Sequence, residues 1–163
     1  METNSEKQMR LSNELEVTLP DGFRVMEDSE RDKLQMIADG PGFCAENKEA
    51  HIMFSTGWKK IRTFAGIILN LNDVAKQMEK SIRAAMEPFD CRDVKKEERV
   101  IAEHPARGIS FRYTAADGTE MYSTSLAAKK GSTIYYFHYY TRWELVKENQ
   151  DVYEKLLGGV MRA

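Results

Sequence analysis

VIAEHPARGISFRYTAADGTEMYSTSLAAKKGSTIYYFHYYTRW, residues 100–143, is the stretch that decides the fold. Apolar side chains recur at every second position from Ile109 to Tyr113, which places them on one face of a β-strand. Two turn signals follow, ADG at 116–118 and KKGS at 129–132, because aspartate and glycine tolerate the backbone angles of a tight reversal. The stretch therefore predicts an antiparallel meander against which the rest of the chain packs.

The last strand of this meander, residues 133–141, is aromatic on both faces, as expected of an interior strand that is covered on both sides. Its side chains alternate as two sets, with Tyr135, Phe137 and Tyr139 on one face and Tyr136, His138 and Tyr140 on the other. Stacked aromatic rings can hold a sugar, a base or a peptide. The candidate binding surface is therefore Tyr136, His138, Tyr140 and, from the neighbouring strand, Tyr122. The alternative, which the usual role of buried aromatics favours, is cross-strand packing inside the sheet.

Short strands are predicted before the meander. Residues 15–19 alternate between apolar and charged or polar, and Phe23 and Val25 begin a strand that we expect to pair with them as a hairpin. Further strands are predicted at 34–38, which residues 39–42 (DGPG) end, and at 50–58. A strand at 94–102 should stop near Pro105, because proline cannot donate to a sheet ladder.

Two amphipathic helices complete the prediction. In the first, apolar residues recur every fourth position from Val74 to Met86, Asn72 caps the start and Pro88 marks the end. The second runs through residues 152–161. The predicted class is α+β: an antiparallel sheet of about seven or eight strands with two helices packed on it, in the order ββββαββββα.

The length and the net charge of the chain restrict the classes of function that it can have. The chain has 163 residues, enough for one domain, and we expect a disordered lead-in at 1–13 and a single domain at 14–163. The formal net charge of -2 argues against nucleic-acid binding through phosphate neutralisation. We find no apolar run long enough for a membrane span, and the polar start METNSEKQMRLSNE is unlike a signal peptide. A cytoplasmic location is therefore expected, and the oligomeric state is open.

No catalytic, cofactor or metal residue is predicted. The histidines His51, His104 and His138 are not spaced like metal ligands, and mid-strand His138 is interpreted as a packed or hydrogen-bonded sheet residue. Cys44 lies near His51 in sequence, so a thiol nucleophile is conceivable, but activation needs a base within hydrogen-bond reach. The simpler interpretation is that Cys44 and Cys91 are small buried side chains.

Four features resemble the PsbP-like superfamily, which includes photosynthetic proteins, a nuclear-transport protein and many bacterial domains. They are the opening strand ending in LPDGF at 19–23, the charge-rich strand 93–102 after an amphipathic helix, HPAR at 104–107 leading into the strand 109–113, and the closing helix 152–161. The resemblance covers about residues 14–161. It implies the fold, a bacterial origin and a bias toward non-catalytic binding, and it assigns no site residue.

The leading hypothesis is therefore a non-catalytic binding or accessory domain that contacts a protein or peptide. A sheet face, or a sheet edge that accepts an added strand, would supply the contact surface. The alternatives are a small-ligand carrier with a pocket between helix and sheet and, less favoured, a thiol-dependent hydrolase that uses Cys44.

Overall fold

A computed structural model describes residues 7–27, 29–30, 42–61 and 70–162. In chain order the elements are β1 (Lys7–Arg10), β2 (Leu15–Leu19), β3 (Arg24–Val25), β4 (Gly42–Asn47), β5 (Ile52–Lys60), α1 (Leu71–Ala85), β6 (Arg92–Ile101), β7 (His104–Thr114), β8 (Glu120–Lys130), β9 (Thr133–Arg142), α2 (Gln150–Gly158) and β10 (Val160–Arg162). The predicted strand 34–38 and the turn residues 39–41 lie outside the described ranges.

Seven strands form one antiparallel sheet in the order β3-β4-β5-β9-β8-β7-β6, and β1, β2 and β10 form a second sheet of three. The predicted α+β class with two helices packed on an antiparallel sheet is confirmed. The predicted order ββββαββββα is incomplete, because five described strands precede α1 and β10 follows α2. Neither of the two described helices is long and apolar enough to cross a membrane.

The predicted meander is confirmed as β7, β8 and β9. The β7–β8 ladder begins with Thr114 opposite Glu120, on either side of the predicted turn, and the β8–β9 ladder begins with Lys130 opposite Thr133. The preceding strand, β6, turns into β7 through Ala102 and Glu103, both with positive φ angles. Strand β9 lies between β5 and β8, which confirms the prediction of an interior strand.

The N-terminal predictions need correction. The predicted hairpin of strand 15–19 with Phe23 and Val25 is wrong, because β2 pairs with β1 and β10, whereas β3 pairs with β4. The predicted disordered lead-in is also wrong over residues 7–13, since β1 is paired with β2 along its whole length and Leu11 is buried.

The C-terminal helix ends earlier than predicted. Instead of continuing to 161, α2 stops at Gly158, and β10 turns back to pair with β2. The Thr18 N–H donates to the Gly159 carbonyl at 2.8 Å. A Cβ at Gly159 would collide with the Thr18 carbonyl oxygen, so this close approach requires glycine.

Helix α1 follows the predicted stripe, with Val74, Met78 and Ile82 buried. Its cap is different: Asn70, not Asn72, occupies the N-cap position, and its side-chain oxygen accepts from the Asp73 N–H at 2.9 Å. A capping side chain must precede the first helical turn to reach the free N–H groups there, and Asn72 already lies within that turn.

Directly opposed residues of neighbouring strands share a face, so the register defines two faces of the seven-stranded sheet. The first, called the α2 face, packs against the three-stranded sheet and α2 and includes Ala45, Phe54, Leu126, Phe137 and Tyr139. The second, called the α1 face, packs under α1 and includes Ile109, Phe111, Ala127 and Ile134. Each face carries a separate hydrophobic cluster.

Candidate functional site

The four residues of the predicted binding surface do not share one face. Tyr136, His138 and Tyr140 lie on the α1 face, whereas Tyr122 lies on the α2 face. His138 is 1% exposed and Tyr140 is 8% exposed, so neither contributes to a solvent-facing surface. The prediction of a single exposed aromatic surface is therefore corrected, and a binding role for the half-buried Tyr122 and Tyr136 stays a prediction.

Tyr122 belongs to a different aromatic group, which we call the Trp143 patch and define as Trp143, Arg112 and Tyr122. Arg112 is directly opposite Tyr122 in the β7–β8 ladder, and Trp143 immediately follows β9. The guanidinium carbon of Arg112 lies 3.9 Å from the centre of the Trp143 ring, and the Tyr122 and Trp143 ring centres are 6.2 Å apart. Trp143 is nevertheless 42% exposed.

Acidic side chains hold the arginines at this end of the sheet. Arg92 and Arg112 are directly opposed on β6 and β7, which would be repulsive without counter-charges. Glu120 forms ion pairs with both arginines and accepts from the Thr114 hydroxyl at 2.8 Å. The hydrogen bond from Thr114, and then the charges of the two arginines, lower the pKa of Glu120 below its usual value.

The guanidinium of Arg112 still has hydrogen-bonding capacity. Its Nη2 donates to Glu120 at 3.3 Å and its Nη1 to Asp93 at 3.5 Å, both longer than the ~2.7–2.9 Å of strong charge-assisted bonds. Its Nε is buried, has no hydrogen-bond partner in the described ranges and is closed to a binding partner. Arg112 is therefore positioned by stacking on Trp143 while its Nη1 and Nη2 groups make only long hydrogen bonds.

The Trp143 patch lies where the cover of the α2 face ends. Farther along β9, Tyr139 packs on Tyr153 of α2 with ring centres 4.5 Å apart, and Phe137 is fully buried. Arg99 lies over the outer side of Tyr153 and pairs with Glu154. Trp143 lies beyond this closed region, so its ring is held on the sheet and still faces solvent.

The α1 face carries a buried polar group, called the His138 strip and made up of Ser55, Ser123, Ser125 and His138. Ser55 and Ser125 lie directly opposite His138 on its two neighbouring strands. His138 Nδ1 and Ser125 Oγ are 2.8 Å apart. Burial lowers the pKa of His138 to about 4, so its ring is neutral near neutral pH. The interpretation of His138 as a hydrogen-bonded sheet residue is confirmed.

A serine hydroxyl bonded to a histidine is also the geometry of an activated nucleophile. Ser125 is 0% exposed and His138 is 1% exposed, so neither presents a reacting atom to a substrate in this conformation. Among the described residues, we find no group of three histidine, cysteine or acidic side chains that could hold a metal ion.

The thiol arrangement considered from the sequence is not assembled. Cys44 is fully buried on β4, directly opposite Ser55 of β5. His51 precedes β5 at the far end of that hairpin, about 13 Å away along the strand at ~3.3 Å per residue. A base at that distance cannot take the proton of the Cys44 thiol.

A groove of about 300 Å³ lies between the start of α1 and the edge of the sheet. Its charged lining residues are balanced, with Lys76, Lys96 and Arg107 against Glu79, Glu97 and Glu98. Arg107 donates to Asn72 and lies 3.9 Å from Glu98, so part of this charge is satisfied internally. The groove favours no particular ligand charge.

No family model matches the sequence, and no curated protein matches it. Several solved structures, however, are similar to this chain. Cyanobacterial PsbP (CyanoP) from Synechocystis sp. PCC 6803 is similar with a TM-score of 0.68 and 11% identity over 99% of this chain and 95% of that one. The Ran-binding protein Mog1p of Saccharomyces cerevisiae is similar with a TM-score of 0.53 and 8% identity over 97% and 95%. The chain has a PsbP-like fold.

A third structure with this PsbP-like fold is LpqN of Mycobacterium tuberculosis, described as involved in cell envelope biogenesis. It is similar with a TM-score of 0.59 and 9% identity over 98% of this chain and 91% of that one. Identities this low show the fold alone. The residues of the Trp143 patch and the His138 strip are therefore assigned from this chain's own geometry.

Sequence reasoning identified Tyr122 in the Trp143 patch but missed Arg112, which lies between the alternating apolar residues Phe111 and Tyr113. A signal was available, since Arg112 and Tyr122 are equidistant along the chain from Asp117 in the predicted turn. In a regular hairpin, residues equidistant from the turn centre are directly opposed.

Proposed function

We propose that this PsbP-like chain is a non-catalytic binding domain that contacts a protein or peptide through the Trp143 patch. The observation that carries the proposal is that Trp143 is 42% exposed while it is held against Arg112 and Tyr122. Tryptophan, tyrosine and arginine are the residues that most often dominate binding energy at protein interfaces. Side chains fixed before binding lose little conformational entropy on association.

The patch also indicates the chemistry of its partner. The exposed side of Trp143 suits an apolar or aromatic side chain, because aromatic rings contribute large contact areas. The Nη1 and Nη2 groups of Arg112, whose present hydrogen bonds are long, suit a carbonyl or carboxylate beside that side chain, since a guanidinium binds planar acceptors through two parallel hydrogen bonds. The partner segment should therefore present an apolar side chain next to an oxygen acceptor.

The similar structures support a binding role in general terms. Mog1p is described as a Ran-binding protein, so a chain with this fold can serve protein recognition. The thiol-hydrolase alternative loses its basis, because Cys44 is buried and far from His51. The partner of Mog1p is not assigned to this chain, since no matching residue supports such a transfer.

The proposal can be tested by photo-crosslinking in cells of the source organism. Glu144 is exposed and adjacent to Trp143, so benzoylphenylalanine placed there would label a molecule bound at the patch. We expect a discrete protein adduct that is lost when Trp143→Ala is combined with the probe. Arg112→Lys should also weaken the adduct, because lysine keeps the charge but loses the planar stack and the forked donors.

A matched control places the same probe at Val100, the most exposed large apolar residue among those described and outside the patch. We expect no dependence of its labelling on Trp143. Adducts at position 144 that persist at full yield in Trp143→Ala, with the variant folded by circular dichroism, would contradict the proposal. The absence of any protein adduct at 144 would contradict it as well.

A further inference from the structure

Strand β6 forms one edge of the seven-stranded sheet, since it pairs with β7 and with no other described strand. An edge strand directs unpaired N–H and C=O groups outward, and another strand can add to them. The other edge strands of the two sheets, β1, β3 and β10, have two to four residues, whereas β6 has ten. The register of β6 with β7 shifts between Arg92 and Lys95 and is regular from there to Ile101. Among the described strands, β6 therefore offers the longest edge for pairing.

Residues 94–100 of β6 read VKKEERV, and alternate side chains of this run share one face of the sheet. Lys96 is directly opposite Ile109 of β7, so Val94, Lys96, Glu98 and Val100 lie on the α1 face. Lys96 and Glu98 are exposed, and Val100 is 73% exposed. On this face the edge therefore presents an apolar, a positive, a negative and an apolar side chain in succession.

This succession is self-complementary when two copies of β6 lie antiparallel with Glu97 on the two-fold axis between them. Lys96 is then opposite Glu98 of the second copy, Val100 is opposite Val94, and the symmetry forms each pair twice. Shifting the axis to Lys96 would oppose lysine to lysine, and shifting it to Glu98 would oppose glutamate to glutamate. Charged residues usually protect an edge strand from pairing, but these charges attract a copy of their own strand in one register.

On the α2 face, the same register opposes Glu97 to its own copy and Lys95 to Arg99. Two of these three side chains are already engaged within their own chain. Glu97 accepts from the Ser110 hydroxyl at 3.0 Å, and Arg99 donates to Glu154 at 2.7 Å. These internal contacts reduce the repulsion between the like charges, so the side chains of the α1 face determine the register.

A continuous sheet also requires room for the helices on its two faces. Helix α1 packs on β7 and β8, about one and a half strand spacings from β6. Two such helices would be roughly 19 Å apart across the axis, at ~4.8 Å per strand, and a helix has a diameter of only ~10–12 Å. On the other face, α2 packs on β9 through Tyr153 and Tyr139, farther from the edge. The helices therefore leave space for a second copy.

We propose that the β6 edge is a homodimer interface, in which β6 pairs antiparallel with β6 of a second copy and Glu97 lies on the two-fold axis. The pairing joins two seven-stranded sheets into one continuous sheet. It does not depend on the proposed role of the Trp143 patch. Arg112 of that patch is opposite Arg92, beyond the register shift that ends the regular edge, so the dimer presents two accessible patches.

Sedimentation velocity of the full chain, at concentrations up to the millimolar range, tests the proposal. We expect the wild type to pass from monomer to dimer as the concentration rises. Lys96→Glu and Glu98→Lys should each weaken association at least about tenfold, because each opposes like charges twice. The double variant Lys96→Glu/Glu98→Lys should restore association, since the attractive pairs reform in reverse. Lys48→Glu is the matched control, because it makes the same charge change in the β4–β5 turn, and it should dimerise like the wild type.

Crosslinking through introduced cysteines tests the register, in a Cys91→Ser background that removes the half-buried thiol near the start of β6. Glu97→Cys should join two copies through a short thiol-reactive crosslinker, because directly opposed Cβ atoms are about 4.5–5.5 Å apart. Val100→Cys is the matched control, since in this register position 100 lies about 20 Å from its own copy.

A chain that stays monomeric at every concentration, with its fold intact by circular dichroism, would overturn the proposal. A dimer that the single charge reversals leave unchanged, or that the double variant does not restore, would overturn it as well, because its interface would lie elsewhere. Crosslinking at position 100 that equals or exceeds crosslinking at position 97 would exclude the two-fold axis at Glu97.

Discussion

Both faces of the seven-stranded sheet bury their side chains completely at the centre, but with different chemistry. On the α2 face, β9 buries Tyr135, Phe137 and Tyr139 in one apolar cluster with the three-stranded sheet and α2. On the α1 face, the same strand buries His138 next to serines. Apolar packing alone accounts for the residues that are buried on the α2 face. The second face retains polar groups that packing alone does not favour, and such departures are expected at functional sites.

The largest effect should come from the α2 face. Phe137 is fully buried, and its ring is stacked with that of Phe54 at 6.5 Å between centres. Phe137→Ala should lower the free energy of unfolding by about 3–5 kcal/mol, since the cavity adds to the lost transfer energy. Tyr136→Ala, the adjacent half-buried residue on the α1 face, is the matched control and should cost clearly less. Equal losses in urea titrations would contradict the contrast between the faces.

The α1 face should produce a pH dependence that the α2 face lacks. The folded pKa of His138 is about 4, below the usual value near 6.5, so between these values the unfolded chain binds a proton that the folded chain does not. Stability should therefore be complete above pH 6.5 and fall as the pH drops toward 4, by roughly 3 kcal/mol.

The test of this dependence is the unfolding free energy of the wild type and of His138→Gln across that range. Glutamine keeps hydrogen-bonding capacity but does not titrate. The carboxylates contribute the same slope to both proteins, so the difference between the two curves isolates His138. Parallel curves would show that His138 is not held neutral by burial.

A smaller effect should come from the connection of α2 to the sheet. Asn149 is buried just before α2, and its Nδ2 donates to the Ala50 carbonyl and the Thr141 hydroxyl, both at 2.9 Å. Asn149→Ala should cost about 2 kcal/mol, because a buried and a partly buried acceptor lose their donor. The exposed neighbour Gln150→Ala should change stability by less than ~0.5 kcal/mol. A comparable loss at both positions would show that the Asn149 bonds are not what fixes α2.

The sequence predicted the meander well because its signals are local. Alternation along β7 and the glycine-containing turns at 116–118 and 129–132 fix both strands and register within a few residues. Strands β1 and β10 are stabilised instead by pairing with β2, and β10 lies at the opposite end of the chain. The alternation of residues within a strand carries no information about a pairing partner that is distant in the sequence. Strand β4 likewise begins at Gly42, the last residue of the sequence DGPG at 39–42, which indicates a turn more strongly than a strand.

The site was predicted less well for the same reason. Tyr122 was identified from its residue type, but its contact with Arg112 depends on the β7–β8 register and its contact with Trp143 on the exit of β9. The burial of His138 and Tyr140 depends on what covers the α1 face, which alternation along β9 cannot specify. Alternation shows which side chains share a face and not which face reaches solvent.

The smallest effect separates two asparagines at the start of α1, the helix that covers part of the α1 face. Asn70→Ala should destabilise the protein by about 1 kcal/mol, because the free N–H of Asp73 loses its acceptor. Asn72→Ala should change stability by less than ~0.5 kcal/mol, since Asn72 is exposed and its partner Arg107 also pairs with Glu98. Thermal unfolding of the two variants measures the difference. A larger loss at Asn72 would mean that the cap expected from the sequence is the correct one and that α1 begins two residues later, which would also shift the edge of the cover over the α1 face.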